Sequence, residues 1–235
     1  MDLSRLKFCV IIGAMKSGTT TLFHLLSEHP EIAASDKKEL HFFSRTAHPS
    51  RNLEGYFQHW DIEPDWHRYC LEASPSYTKH PLDDVTKVAS EMLSAGLEFR
   101  FIYIVRNPVE RILSHLRHRA GHDLAINKDF LHLAKNISSY GTQLKKFLDG
   151  FPDAQIFVAD FAALRENQNA LLQEVHGFLE VPFHPVEPGP PRHFNKSRIQ
   201  VEVNDSTLIN LKDQLHEDML LFERLTSFDI AKWGF

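Results

Sequence analysis

The chain alternates short, wholly apolar runs with longer stretches in which apolar residues recur every three or four positions. Phe8 to Ile12 is a continuous apolar run, the pattern of a strand buried on both faces of a parallel sheet. An amphipathic segment follows from Thr19 to Glu28, with Leu22, Leu25 and Leu26 on one helical face and Pro30 as its stop. A short extended piece is expected around Ile32 and a short helix over Asn52 to Trp60. "RYCLEAS", Arg68 to Ser74, reads as a second strand that Pro75 ends. Pro81 opens an expected helix to about Ala95, terminated by Gly96. "EFRFIYIV", Glu98 to Val105, is the strongest strand pattern in the chain. Asn107-Pro108 then sets proline in the first turn of a helix running to about Arg119, where its missing N–H costs nothing. Two helices are expected over Asp129 to Leu148, a strand at "AQIFVAD", and a helix from Ala170 to Leu179. A proline-rich loop, "VPFHPVEPGPPRHFNKSR", precedes a last amphipathic helix from Ser206 to Leu225.

This alternation predicts one domain over residues 1–235, an α/β fold of the P-loop type in three layers. Its central sheet is mostly parallel, with helices on both faces. Ligands of such sheets gather at the carboxyl ends of the strands, so the residues that follow each strand carry the chemistry.

After the first strand comes "GAMKSGTTT". Gly13 and Gly18 keep the glycine spacing of a nucleoside-triphosphate P-loop, G-x-x-x-x-G-K-[ST], but Thr19 stands where that motif has lysine. The loop's lysine is Lys16, three positions earlier than the motif requires. Backbone N–H groups and the following helix N-terminus make an anion cradle, to which Ser17, Thr19, Thr20 and Thr21 add hydroxyls. After the strongest strand, "VRNPVERILS" places Arg106 at the strand end and Ser114 eight residues on, two turns into the helix. A guanidinium and a hydroxyl so placed suit a second phosphate. Read alone, Arg106 is equally suited to pairing with Glu110.

The two segments together resemble the sulfotransferases that use 3′-phosphoadenosine 5′-phosphosulfate (PAPS). "KKELHFF", Lys37 to Phe43, and "EASPSYT", Glu72 to Thr78, resemble the K-E-x-H-F-F and E-K-[ST]-P-x-Y segments of the heparan-type glycan sulfotransferases. The likeness runs from Phe8 to about Arg119, then thins, and is expected to resume in the "RHFNKSR" loop and the closing "LLFERLTSFDIAKW" helix. It implies that Lys16, Ser17, Gly18 and Thr19 to Thr21 hold the 5′-phosphosulfate and that Arg106 and Ser114 hold the 3′-phosphate. Lys196, Ser197 and Arg198 would then close over the nucleotide. It also implies that Lys16 donates to the oxygen bridging sulfur and the 5′-phosphate, and that no metal is required, since a sulfuryl group carries less charge than a phosphoryl group. Glu39 becomes the base that deprotonates an acceptor hydroxyl, with His41 orienting it or taking its place. His24 and His115 stand further back as bases.

Charge and composition narrow the acceptor. The balance of 26 basic and 31 acidic residues gives a net charge of -5, which offers no global attraction to nucleic acid or to an anionic membrane. Ala73 and Ser44 stand where the heparan-type pattern puts lysine and aspartate. A shorter glycan, a glycolipid headgroup or a hydroxylated metabolite is therefore the expected acceptor, with an amine as second choice. The 15 histidines are scattered; those at 115, 118 and 122 share helical spacing but lack accompanying carboxylates, against a metal site. Cys9 and Cys70 read as buried free thiols. With no 18-residue apolar segment and a polar start from Met1 to Lys7, a soluble, cytoplasmic setting is the expectation. The competing readings are a P-loop kinase of a nucleotide or small metabolite, and a nucleotide-binding module without chemistry.

Overall fold

The structure is a computed structural model and describes residues 6–44, 53–79, 91–120, 127–151, 155–187 and 203–235. Five strands, β1 (Lys7–Gly13), β2 (Ile32–Ala34), β3 (Tyr69–Ala73), β4 (Glu98–Val105) and β5 (Gln155–Asp160), form one sheet in the order β2-β3-β1-β4-β5. Every pairing between them is parallel. The helices are α1 (Thr19–Leu26), α2 (Leu53–Phe57), α3 (Pro108–Ala120), α4 (Lys128–Ser138), α5 (Tyr140–Gly150), α6 (Phe161–Glu166), α7 (Gln168–Leu179) and α8 (Asp205–Thr226).

The continuous apolar runs of β1 and β4 follow from burial on both faces. Phe8, Val10 and Ile12 of β1, with Phe99, Phe101 and Tyr103 of β4, point into one core with the aromatic residues of α5 and α8. Cys9, Ile11, Ile102 and Ile104 point into the opposite core with the leucines of α1 and α7. Strand side chains alternate with period two, so a strand must be apolar at every position to fill both cores. Phe8 stacks on Phe99 with ring centroids 5.1 Å apart, and Phe99 stacks on Phe101 at 5.8 Å. The sheet is thus covered by helices on both sides, as the alternation predicts.

Element boundaries follow local chemistry. Asn107 caps α3 by accepting from the N–H groups of Val109 and Glu110, beside Pro108 in the first turn. The helix α6 was not expected from the sequence. It begins directly at the end of β5, where the Asp160 side chain accepts from the Ala162 N–H. α1 ends two residues before Glu28, turning at Ser27. Most of the helix expected from Pro81 to Ala95, His122, and the loop carrying Lys196, Ser197 and Arg198 lie outside the described residues. Cys9 and Cys70 are free and fully buried, and burial pushes both thiols up, Cys70 to about 12.

Candidate active site

The carboxyl ends of the strands converge on one edge of the sheet. β1 sits between β3 and β4, so the loops after these strands open on either side of it. The loop after β1 is shaped by its glycines. Gly13 has φ 153°, and a Cβ there would lie 1.9 Å from the Thr78 hydroxyl oxygen. Gly18 has φ 91°, and a Cβ would press on Leu164 and Phe161 at 2.9 Å. Lys16 adopts φ 71°, left-handed backbone that an L residue enters only when its surroundings hold it there.

Those surroundings include Arg111. Its side chain is fully buried and pairs with no carboxylate among the described residues. It donates to the Met15 carbonyl at 3.4 Å, to the Ser138 hydroxyl at 2.6 Å and to the Ala134 carbonyl. The guanidinium therefore braces the residue before Lys16 against α4. Burial, with the charge of Arg106 nearby, brings its pKa down to about 10. Lys16 is half-buried, and its ammonium makes no hydrogen bond or ion pair among the described residues. Desolvation first, then Arg111 and Arg106, lower its pKa. Three cations thus meet at the end of β1 and β4.

The rest of the cradle is equally short of partners. α1 starts at Gly18 without a side-chain cap and has no acidic residue in its first turn, so its N–H groups face outward with their partial positive charge. Ser17 is fully buried, and its hydroxyl meets no full hydrogen-bond geometry among the described residues. It lies close enough to the Tyr140 hydroxyl to offset part of the effect of burial there. Its neighbour Tyr140 gives its own proton to the Arg106 carbonyl at 2.7 Å. Thr19 and Thr21 are buried and Thr20 is half-buried. A buried unpaired hydroxyl, an uncapped helix start and a lone ammonium fit an oxyanion such as phosphate or sulfate.

Arg106 stands at the end of β4 as expected, over the Phe161 ring at 5.0 Å. It also pairs with Glu110, its Nε and Nη2 lying 3.1 and 2.9 Å from one carboxylate oxygen. Ser114 is half-buried on α3. Next to it His115 is buried against Phe130, with ring centroids 4.6 Å apart. Burial, helped by Arg111, Lys79 and Lys16, drives its pKa to about 3, so its imidazole is neutral. His24 is exposed on α1. Among the described residues no group of His, Cys, Asp and Glu gathers as a metal site.

Glu39 and His41 lie in the loop after β2, facing the turn after β3. Glu39 is 44% exposed, with Lys38 Nζ at 2.8 Å and His41 Nε2 at 3.7 Å. His41, at φ 55°, shares a proton with the Ser76 hydroxyl at 2.7 Å through Nδ1. Beneath them Glu72 is fully buried and accepts from Tyr56, Ser74 and Tyr77 at 2.7 to 3.0 Å. Burial outweighs those donors and raises its pKa to about 7. Arg111 and Glu72 were not singled out from the sequence, although both lie inside the segments "VRNPVER" and "EASPSYT".

A parallel sheet with a glycine-bounded loop at its carboxyl edge is an α/β architecture in which that edge carries the ligand site. The chain matches the family described as a sulfotransferase domain over residues 7–219, and it belongs to that family. It is 34% identical over 107 residues to the membrane-associated sulfotransferase kil1 of Dictyostelium discoideum, covering 45% of this chain and 21% of that protein. It is 25% identical over 192 residues to human heparan sulfate glucosamine 3-O-sulfotransferase 5, covering 74% of this chain and 53% of that one. The chain thus spans from a fifth to about half of these curated relatives. A crystal structure of a sulfotransferase from Alicyclobacillus acidocaldarius superposes with a TM-score of 0.77 at 24% identity, covering 98% of this chain and 99% of that chain, and shares the fold.

Proposed function

We propose that the protein transfers a sulfuryl group from PAPS to a hydroxyl of a carbohydrate, glycolipid headgroup or small hydroxylated metabolite, acting as a single domain. The observation that carries this reading is the half-buried Lys16 ammonium beside Arg106 and Arg111, above an uncapped helix start and the unpaired Ser17 hydroxyl. That set accepts an anion at two places. The loop from Ser17 to Thr21 would hold the 5′-phosphosulfate and Arg106 with Ser114 the 3′-phosphate, with Lys196, Ser197 and Arg198 as further contacts.

PAPS, when bound, supplies a sulfuryl group on a phosphate leaving group. Lys16 donates a hydrogen bond where negative charge grows on the bridging oxygen, and its lowered pKa makes it a readier proton donor. Glu39 takes the proton of the acceptor hydroxyl, with His41 beside it as partner or substitute base. The heparan-type segments and the 3-O-sulfotransferase relative favour a sugar hydroxyl; an amine is the second choice. The free thiols Cys9 and Cys70 suit a reducing, cytoplasmic setting. The test is incubation with PAPS and a panel of neutral glucosaminyl oligosaccharides, glycolipids and phenols, read by mass spectrometry. A sulfated acceptor together with released 3′-phosphoadenosine 5′-phosphate supports the reading. Phosphorylation of the same panel by ATP with Mg²⁺, and no sulfation, overturns it in favour of a kinase.

A further inference from the structure

Among the described residues the Glu39 carboxylate makes polar contacts with Lys38 and His41 only, both close neighbours in sequence. Its position is therefore set by the backbone of its own loop. The backbone N–H of His41 donates to the Ser74 hydroxyl at 3.1 Å, and that hydroxyl donates to Glu72 Oε2 at 3.0 Å. The N–H of Phe42 donates to the Tyr77 hydroxyl at 2.7 Å, and that hydroxyl donates to both Glu72 oxygens at 3.0 Å. The N–H of Leu40 lies near enough to the Glu72 carboxylate to favour its ionised form. Three consecutive amides of the loop thus lead, directly or through one hydroxyl, to one buried carboxylate. A second contact, the Ala73 N–H to the Lys38 carbonyl at 2.9 Å, fixes only the start of the loop.

We propose that Glu72 is a positioning residue: through Ser74 and Tyr77 it sets the pose of the 40–42 backbone, and with it the reacting groups of Glu39 and His41. The physical reason lies in hydroxyl polarity. An ionised carboxylate only accepts, so it turns the Ser74 and Tyr77 protons toward itself and leaves their lone pairs for the loop amides. Once protonated, Glu72 has a donor of its own that competes with those amides for the same lone pairs. The groups facing it are the hydroxyls of Tyr56 on α2 and of Ser74 and Tyr77 on the turn after β3, with Leu40 N–H from the loop. Tyr56 and Tyr77 are titratable themselves and couple to Glu72, and burial pushes both phenols well above their ordinary range, so they stay neutral donors while Glu72 titrates. Burial raises the pKa of Glu72 to about 7, so the proposal predicts that the pose of the loop changes with pH around neutrality.

The proposal rests on Glu39 or His41 being the base, and the experiment separates the two. Backbone amide resonances of Leu40, His41 and Phe42 are followed by NMR through a pH titration across neutrality. The expected result is one shared transition in the parent, absent in Glu72→Gln. Ser74→Ala should release only His41 from that transition and Tyr77→Phe only Phe42, which keeps the test readable if Glu72→Gln folds poorly. In sulfuryl transfer from PAPS to a glucosaminyl tetrasaccharide, Glu72→Gln should lower kcat by about 10- to 100-fold. KM for PAPS should stay within about threefold. The loss should shrink to about twofold in a Glu39→Gln background. Full activity of Glu39→Gln with the shared transition intact would move the base to His41 and leave the positioning role standing, to be read in a His41→Ala background. Amides that titrate independently, or not at all, overturn it, as does a transition that survives Glu72→Gln.

Discussion

The two sides of the cleft solve opposite electrostatic problems. On the side of β1 and β4, Lys16, Arg106 and Arg111 gather with Glu110 as the only carboxylate bonded to any of them among the described residues. On the side of β2 and β3, the fully buried Glu72 is bonded by hydroxyls and pairs with no cation among the described residues. On the first side the Lys16 ammonium has no hydrogen-bond or ion-pair partner among the described residues, which suits the anionic ligand proposed for it. On the second side the Glu72 carboxylate is hydrogen-bonded within the protein, as the positioning role proposed for it requires. On the proposed reading Lys16, the one of these three cations left without a partner among the described residues, meets the ligand, and the hydrogen-bonded Arg111 and Glu72 keep geometry.

The largest expected break is at Lys16. Lys16→Ala should lower turnover of PAPS by about 10²–10³, or roughly 3–4 kcal/mol of transition-state stabilisation, measured as kcat with both substrates saturating. A loss within about threefold would remove it from the leaving group. Arg111 comes next. Arg111→Met leaves the Met15 and Ala134 carbonyls and the Ser138 hydroxyl without their donor. Unfolding in urea should show a loss of about 3 kcal/mol, accompanied by weaker nucleotide binding as the loop around Lys16 loosens.

The comparison sharpens in pH dependence, where the two sides carry opposite signs. Glu72 has its folded pKa raised to about 7 from 4.5. The native state then binds the proton more tightly, so the stability it contributes is complete below pH 4.5 and is lost as pH rises to about 7. That contribution is at most about 3 kcal/mol, and the parent should lose more stability than Glu72→Gln between the two ends of this window. His115 has its folded pKa lowered from 6.5 to about 3. Its contribution is complete above pH 6.5 and lost as pH falls toward 3, so a His115→Phe variant should soften acid unfolding. The smallest effect is at Glu110. Glu110→Gln frees Arg106 from an exposed ion pair worth about 0–1 kcal/mol, and affinity for the bisphosphate nucleotide should rise by no more than about fivefold.

The sequence reading located the cationic side more fully than the carboxylate side. Gly13, Lys16, Gly18 and Arg106 are legible because a short loop at a strand end fixes them locally, and the parallel sheet follows from strands apolar at every position. Arg111 and Glu72 escaped that reading because their roles exist only across long separations in the chain. Arg111 reaches Met15 from 96 positions away, and Glu72 meets the loop through residues about 35 positions downstream of it. Within their own segments both look like ordinary helix and strand residues. The helix α6 escaped because a strand feeds it with no intervening turn; its signal was Asp160, an N-cap residue at the end of an apolar run.

The central claim is that the Lys16 side is a binding site for a 3′,5′-bisphosphorylated adenosine. Calorimetric titration with 3′-phosphoadenosine 5′-phosphate, beside ATP with Mg²⁺, tests it most directly. The account predicts saturable binding of the bisphosphate, weakened by Lys16→Ala and by Arg106→Ala, and no binding of ATP. Binding of ATP with Mg²⁺ and none of the bisphosphate would contradict it.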